Sequence, residues 1–501
     1  MQLLRIIPLA VILGTAVQAS AGPSRGAQKL ASVLDTLLAD AALRGADVGV
    51  LVQRLRDGRT LYSRNADQEM VPASNVKLVT TAAAFHFLMP DFRFKTEVYL
   101  GNGEGRERHL YLKGYGDPYL TPERLWYLAN RLRVLGLDAV PGDIIIDDSY
   151  FSGPRFPNGS DINDASYTYN APSGAVSVGF NSVLVQVHPA ANAGDTATVV
   201  VDPPNAHTVV RGRVRTVRRG WSDIDVSVMG RDGRDEIWVS GRIRVDDEPR
   251  GYWRRITNPP QFAGAVFKRL LQQAGIDVAG GVREAATPQD AQLLHTLRSP
   301  RLAQIVGWVN KHSNNFMAAQ LARSLGAEVF EPPGTWEKGK RAVQQYLDDQ
   351  VGIAPGAYAL GNASGLHDVN RFTPRQIVRV LRAMHSRPRL RPEFKASLAT
   401  AGGTGTLSDR MADTDAAMIL RGKTGTLSSA SALSGYVTTP AGEELAFSVL
   451  VNDYRRGITS VRDIQDDLGA TLASWKLKEQ RVDEGVPTAM TRPKETGEPP
   501  R

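Results

Sequence analysis

Between residues 93 and 255 the texture of this chain changes from helical spacing to strand-like alternation, and it changes back afterwards. Alternating runs at 96–100, 109–112, 144–146, 198–201 and 237–245 surround one helical stretch, 122–135. Ahead of this block, residues 27–43 carry apolar side chains at helical spacing, and 48–55 and 60–63 read as two strands joined at Asp57-Gly58. A helix at 74–88 follows Pro72 and stops at Pro90. Behind the block, helical patterns return at 261–274 and 302–325, and 418–451 reads as antiparallel sheet with a turn at Pro440-Ala441-Gly442. At 501 residues the chain is too long for one hydrophobic core. The expected fold is an α/β (α+β) domain, an antiparallel sheet flanked by helices, in two parts (22–92 and 256–480). The block at 93–255 is then an insert of one or two small β-rich domains.

The ends read differently. Arg5 leads into the apolar stretch 6–13 and then the small residues Val17-Gln18-Ala19-Ser20-Ala21. That is the pattern of a secretory signal at residues 1–21, cleaved after Ala19 or Ala21, and the apolar run is short for a bilayer span. The mature protein is expected outside the cytoplasm, in the periplasm, with no stable membrane span. Residues 481–501 are polar and contain proline, the composition of a disordered tail.

Composition narrows the chemistry. The absence of cysteine excludes thiol catalysis, disulfides and Cys-ligated zinc. No His-Glu-x-x-His occurs among the eight histidines and no Gly-x-Ser-x-Gly elbow is found, which disfavours zinc peptidases and Ser-His-Asp hydrolases. The net charge is +8, with 60 basic residues of which thirteen are lysine. No basic run interleaved with aromatics argues for nucleic acid, and none is expected as a partner.

Three short motifs carry chemistry. In Ser74-Asn75-Val76-Lys77 the hydroxyl and the amine lie one helical turn apart on the same face. A serine needs a base to become a nucleophile, and a lysine serves only if burial or nearby positive charge lowers its pKa. Ser313-Asn314-Asn315 stands at a helix entrance, where Ser313 has an ordinary reading as an N-cap. Its hydroxyl and the Asn315 amide could also relay a proton and hold a carbonyl. Lys423-Thr424-Gly425-Thr426 is placed on a sheet edge after a strand at 418–420, where glycine admits a substrate backbone and the lysine and threonines can meet a carboxylate. Gly422-Lys423-Thr424 mimics the end of a P-loop, but Ala417 stands where glycine is required.

Taken in this order, Ser-x-x-Lys, Ser-x-Asn and Lys-Thr-Gly are the signature set of penicillin-binding proteins and serine β-lactamases. The chain resembles the D-alanyl-D-alanine carboxypeptidase/endopeptidase family of penicillin-binding protein 4 type, the low-molecular-mass class C group. The long gap supports this, with 239 residues between Ser74 and Ser313 and 110 between Ser313 and Lys423. So do Asp147-Asp148-Ser149-Tyr150-Phe151, Tyr169-Asn170-Ala171-Pro172-Ser173-Gly174-Ala175, Gly405-Thr406-Leu407 and Leu433-Ser434-Gly435-Tyr436-Val437. The resemblance implies Ser74 as acylated nucleophile, Lys77 as general base and Ser313 as proton shuttle. Asn315 would hold the substrate amide, Lys423 would supply positive charge, and Thr424, Gly425 and Thr426 would line the carboxylate end. The N–H groups of Ser74 and Thr426 would form the oxyanion hole. The implied partners are peptidoglycan stem peptides and β-lactam antibiotics, with no cofactor and no metal. Two departures stand out: Asn362-Ala363-Ser364-Gly365-Leu366 replaces Asp-Gly-Ser-Gly-Leu, and Thr404 replaces an aspartate. A β-lactamase or a non-catalytic wall-binding protein would share the fold.

Overall fold

The computed structural model describes residues 25–102, 107–157 and 167–476. The expected signal at 1–21 and tail at 481–501 lie outside the described residues.

The six-stranded central sheet runs in the order Ala399–Thr400, Arg421–Thr426, Ala430–Thr438, Glu444–Asn452, Asp47–Arg54, Thr60–Arg64, antiparallel throughout. Its middle strands are almost wholly buried because both faces are covered. On one face lie the helices Val76–Leu88, Leu302–His312, Asn315–Phe330, Trp336–Tyr346 and Pro374–His385, packed around Phe85, Leu321, Tyr346, Phe372 and Leu381. On the other lie Arg25–Leu37 and Ile458–Ser474, around Leu34, Leu433, Phe447 and Leu468. The result is a three-layer sandwich built from both ends of the chain.

The insert has its own core, around Leu112, Leu128, Ile146, Val185, Ile237, Phe262 and Phe267. Its first body is a five-stranded sheet in which Gln292–Arg298 pairs with Lys95–Asn102, backed by helices Pro122–Val134 and Pro259–Gln273. Its second body, between Ser182 and Arg255, holds a three-stranded and a four-stranded sheet. The expected end of the insert at residue 255 is therefore corrected to about Ser299. The strand at 292–298 closes the sheet opened at 95–102, a pairing across some two hundred residues that local periodicity cannot show.

Three further expectations change. The single helical pattern at 302–325 is two helices, because Ser313 adopts a left-handed backbone (φ 56°). The strand expected at 418–420 is a turn, with Met418 at φ 61°, and the strand is the Lys-Thr-Gly segment itself, Arg421–Thr426. Helices Trp336–Tyr346, Pro374–His385, Arg391–Ser397 and Ile458–Ser474 come in addition to those expected. The second body also holds a basic concentration without interleaved aromatics: Arg211, Arg213, Arg215, Arg218 and Arg219, all exposed.

One helix joins insert to core. Asn315–Phe330 presents Gln320, Arg323, Ser324 and Glu328, spaced by three, one and four residues along one face. Gln320 Nε2 donates to Gly174 O (2.8 Å), Arg323 Nη1 to Ser173 O (3.2 Å) and Nη2 to Ser152 O (2.8 Å), and Tyr150 O–H to Glu328 (2.5 Å). The Arg323 guanidinium is buried between the rings of Phe151 (4.4 Å) and Trp336 (5.0 Å). Both stretches that resembled the family inside the insert, 147–151 and 169–175, thus serve this seam.

Candidate active site

The three motifs, far apart in sequence, meet at the junction of the helix that follows Ser74, the broken helix pair and the sheet edge. Ser74 lies in a short 3-10 turn, Ala73–Asn75, that runs into the helix Val76–Leu88. Ala73 holds φ 45°, a costly backbone for a residue with a Cβ, kept only where surroundings fix it. Two glycines provide those surroundings. A Cβ on Gly425 would come within 3.0 Å of Ala73 Cβ, Pro72 O and Ser74 N, and one on Gly365 would lie 2.0 Å from Ala73 O. Asn75 Nδ2 donates to Lys423 O (3.1 Å), which ties the first motif to the third.

Lys77 is fully buried, and its Nζ donates to Ser74 Oγ (2.9 Å), Asn315 Oδ1 (2.6 Å) and Ser364 O (2.5 Å). All three acceptors are neutral. Burial first, and the positive charge of Lys423 second, hold its pKa well below the ordinary lysine value. Lys423 is also fully buried, donates to Ser313 Oγ (3.0 Å) and Thr424 O (2.7 Å), and is pushed down by burial to about 7.

Ser313 sits at the left-handed break between two helices, so its hydroxyl leaves the helix surface and reaches Lys423. The cap that could have explained Ser313 is made instead by Asn314, whose Oδ1 accepts from Met317 N (2.9 Å). Asn315, expected to hold the substrate amide, has both polar ends engaged by protein: its oxygen takes Lys77 and its Nδ2 donates to Tyr169 O (3.2 Å). In this state it holds the Lys77 amine in place. Thr424 O–H donates to Thr406 Oγ1 (2.7 Å), and a Cβ on Gly405 would meet Lys311 O at 2.4 Å, so the Gly405-Thr406-Leu407 stretch locks strand to helix.

Both departures have local accounts. Asn362 Oδ1 accepts from Ser364 N (3.1 Å) and Gly365 N (2.8 Å) while its Nδ2 donates to Leu366 O (2.6 Å), so an amide folds the turn that aims the Ser364 carbonyl at Lys77. Thr404 Oγ1 accepts from Thr400 N (3.2 Å) and closes its own turn.

The edge strand pairs with Ala399–Thr400 only at Gly422 and Arg421, which leaves the outer edge of Lys423–Thr426 open to an added peptide strand. A cavity of about 330 Å³ adjoins it, lined by Ser313, Asn314, Asn315 and Phe316 from the core and by Tyr169, Phe180 and Trp253 from the insert. Sequence reasoning did not find Ser364 as a lysine partner, Tyr169 as a site-lining residue, or Arg462, whose Nη2 donates to Thr426 Oγ1 (3.2 Å). The first two lay in stretches already singled out, and Arg462 has no sequence signal. Among the described residues no group of three or more His, Cys, Asp or Glu side chains could hold a metal ion.

Residues 30–474 match the D-Ala-D-Ala carboxypeptidase 3 (S13) family. A D-alanyl-D-alanine carboxypeptidase from an Actinomadura species is 34% identical over 490 residues, 94% of this chain and 89% of that protein. The crystal structure of penicillin binding protein 4 from Haemophilus influenzae superposes with a TM-score of 0.77 at 25% identity, covering 88% of this chain and 99% of that one. The same Haemophilus protein complexed with a novel β-lactam gives a TM-score of 0.72 at 24% identity, with the same coverage.

Proposed function

The chain belongs to the D-Ala-D-Ala carboxypeptidase 3 (S13) family of serine peptidases, and from that premise we propose how its own residues cleave the D-Ala-D-Xaa bond of a peptidoglycan stem peptide or cross-link. The observation that carries the reading is a fully buried lysine amine, surrounded by neutral oxygens, 2.9 Å from the Ser74 hydroxyl. With its pKa lowered by burial, the amine in its neutral form keeps two N–H groups for Asn315 Oδ1 and Ser364 O, and its lone pair takes the Ser74 proton as Oγ attacks the D-Ala carbonyl. The new C–O bond forms as the carbonyl π pair moves to oxygen, beside the N–H groups of Ser74 and Thr426. The closeness of Gly425 to Ser74 N supports that pairing. Collapse breaks the C–N bond, and the leaving amine takes a proton relayed through Ser313 Oγ, which the Lys423 charge polarises. Water then hydrolyses the acyl-enzyme by the reverse transfers. The incoming peptide lies along the open edge of Lys423–Thr426, with its terminal carboxylate toward Thr424 and Thr426.

The leader pattern at 1–21, together with a cell-wall substrate, supports export to the periplasm. No helix among the described residues is long and apolar enough to cross a membrane.

Intact-mass spectrometry after incubation with benzylpenicillin tests the reading. The wild type should gain one stable adduct and Ser74→Ala none. Antibiotic destroyed without an adduct would point to a β-lactamase, and antibiotic left intact without an adduct to a non-catalytic protein.

A further inference from the structure

The carboxylate end of the site holds a permanent cation that neither the motifs nor the family match identifies. Thr424 and Thr426 share one face of the edge strand by alternation, the face of Leu433, against which the helix Ile458–Ser474 packs. Gln465 of that helix donates through Nε2 to Ser431 Oγ (3.1 Å), and Ser431 is the residue directly opposite Thr426. Arg462 lies one helical turn before Gln465 on the same face, and its Nη2 donates to Thr426 Oγ1 (3.2 Å). Its carbonyl is held by Arg410 Nη2 (3.2 Å), which fixes the helix turn from behind. Among the described residues no carboxylate lies within ion-pair distance of Arg462, and Asp466, one turn on, is already bound by Arg410 (2.7 Å). The guanidinium is half-buried and directs one N–H of its five at Thr426, so a fork of donors remains at the open strand end.

The other cation of the motif is differently placed. Lys423 is sealed from solvent and committed to Ser313 Oγ and Thr424 O, so it acts on a bound carboxylate through its field. Its charge is also partial at neutral pH, whereas a guanidinium stays charged.

We propose that Arg462 is a specificity-determining residue that binds the free carboxylate of the residue leaving the scissile bond, in a two-pronged contact above the Thr426 hydroxyl. This rests on the active-site reading above, and it makes the enzyme discriminate between leaving residues with a free carboxylate and those in which it is blocked.

The test compares wild type, Arg462→Ala and Arg462→Lys on two synthetic peptides ending in D-Ala-D-Ala, one with a free C-terminus and one amidated. Wild type should prefer the free acid. Arg462→Ala should raise KM for the acid by roughly 10- to 100-fold, the range of a charge-assisted hydrogen-bond pair, with kcat nearly kept and the amide unaffected. Arg462→Lys should recover part of the loss. The Ser74 adduct should still form on Arg462→Ala at saturating benzylpenicillin, and more slowly than wild type only at concentrations below saturation. Equal losses on both peptides, or an unchanged acid-to-amide ratio, would overturn the assignment while leaving Ser74 catalysis standing. A wild type that neither hydrolyses the acid peptide nor gains an adduct would overturn the active-site reading and this proposal together.

Discussion

At the floor of the active site two lysines are buried against neutral oxygen, and at the seam with the insert an arginine is buried the same way. Lys77 has a hydroxyl, an amide oxygen and a carbonyl; Lys423 a hydroxyl and a carbonyl; Arg323 the carbonyls of Ser173 and Ser152 and two aromatic faces. Loss of water lowers all three pKa values, yet the consequences differ. Lys423 is lowered to about 7, inside the working range, while Arg323 is lowered only to about 10 and stays charged. The same burial thus produces proton chemistry where the residue is lysine and a fixed strut where it is arginine. That strut also reaches the site, because the helix carrying Arg323 begins at Asn315, which aligns Lys77.

The sharpest way to break this comparison is to exchange the cation at the floor. Lys77→Arg puts a group that stays protonated where the mechanism needs a neutral amine, and acylation by benzylpenicillin should slow by about 10²- to 10⁴-fold, the contribution of a positioned base. An acylation rate near wild type in stopped-flow measurements would mean that some other group removes the Ser74 proton.

The converse exchange, Arg323→Met, should leave the Ser74–Lys77 chemistry intact but cost about 1–3 kcal/mol at the seam, since the carbonyls of Ser173 and Ser152 lose a buried charged donor. Urea unfolding followed by near-UV circular dichroism reads this, with loss expected first in the contact between insert and core. A midpoint equal to wild type would show that the seam stands on Gln320 and Glu328 alone.

The smallest effect concerns pH. With Lys77 needed neutral and Lys423 needed protonated, kcat/KM should rise with pH through the lowered Lys77 pKa and decline again as Lys423 loses its proton from about 7 upward. Lys423→Arg should flatten the alkaline decline at some cost in maximal rate. A decline unchanged in that variant would assign the limb to another group.

Much of the fold could be read in advance, for reasons visible in particular residues. Alternation and turn residues located the strands around Asp57-Gly58 and Pro440-Ala441-Gly442, and the change of texture at residue 93 precedes the strand Lys95–Asn102. Its end escaped, because Gln292–Arg298 belongs to the insert only through a strand nearly two hundred residues earlier. The helix entrance at Ser313 was legible, but the left-handed backbone there was not, since no glycine marks it and the cap is made by Asn314.

The amino-acid order by itself determined which chemical groups are available: a hydroxyl and an amine one turn apart, a second hydroxyl, a lysine on a glycine-bearing edge, and no cysteine for any rival chemistry. Only the tertiary structure decided what those groups are. A lysine becomes a base when its surroundings exclude water and offer no carboxylate, and Asn315, Ser364 and Lys423 create those surroundings for Lys77 from segments more than 200 residues away in the chain. Burial and the field of distant charges are properties of the assembled core, so they are written nowhere in the spacing of Ser74 and Lys77.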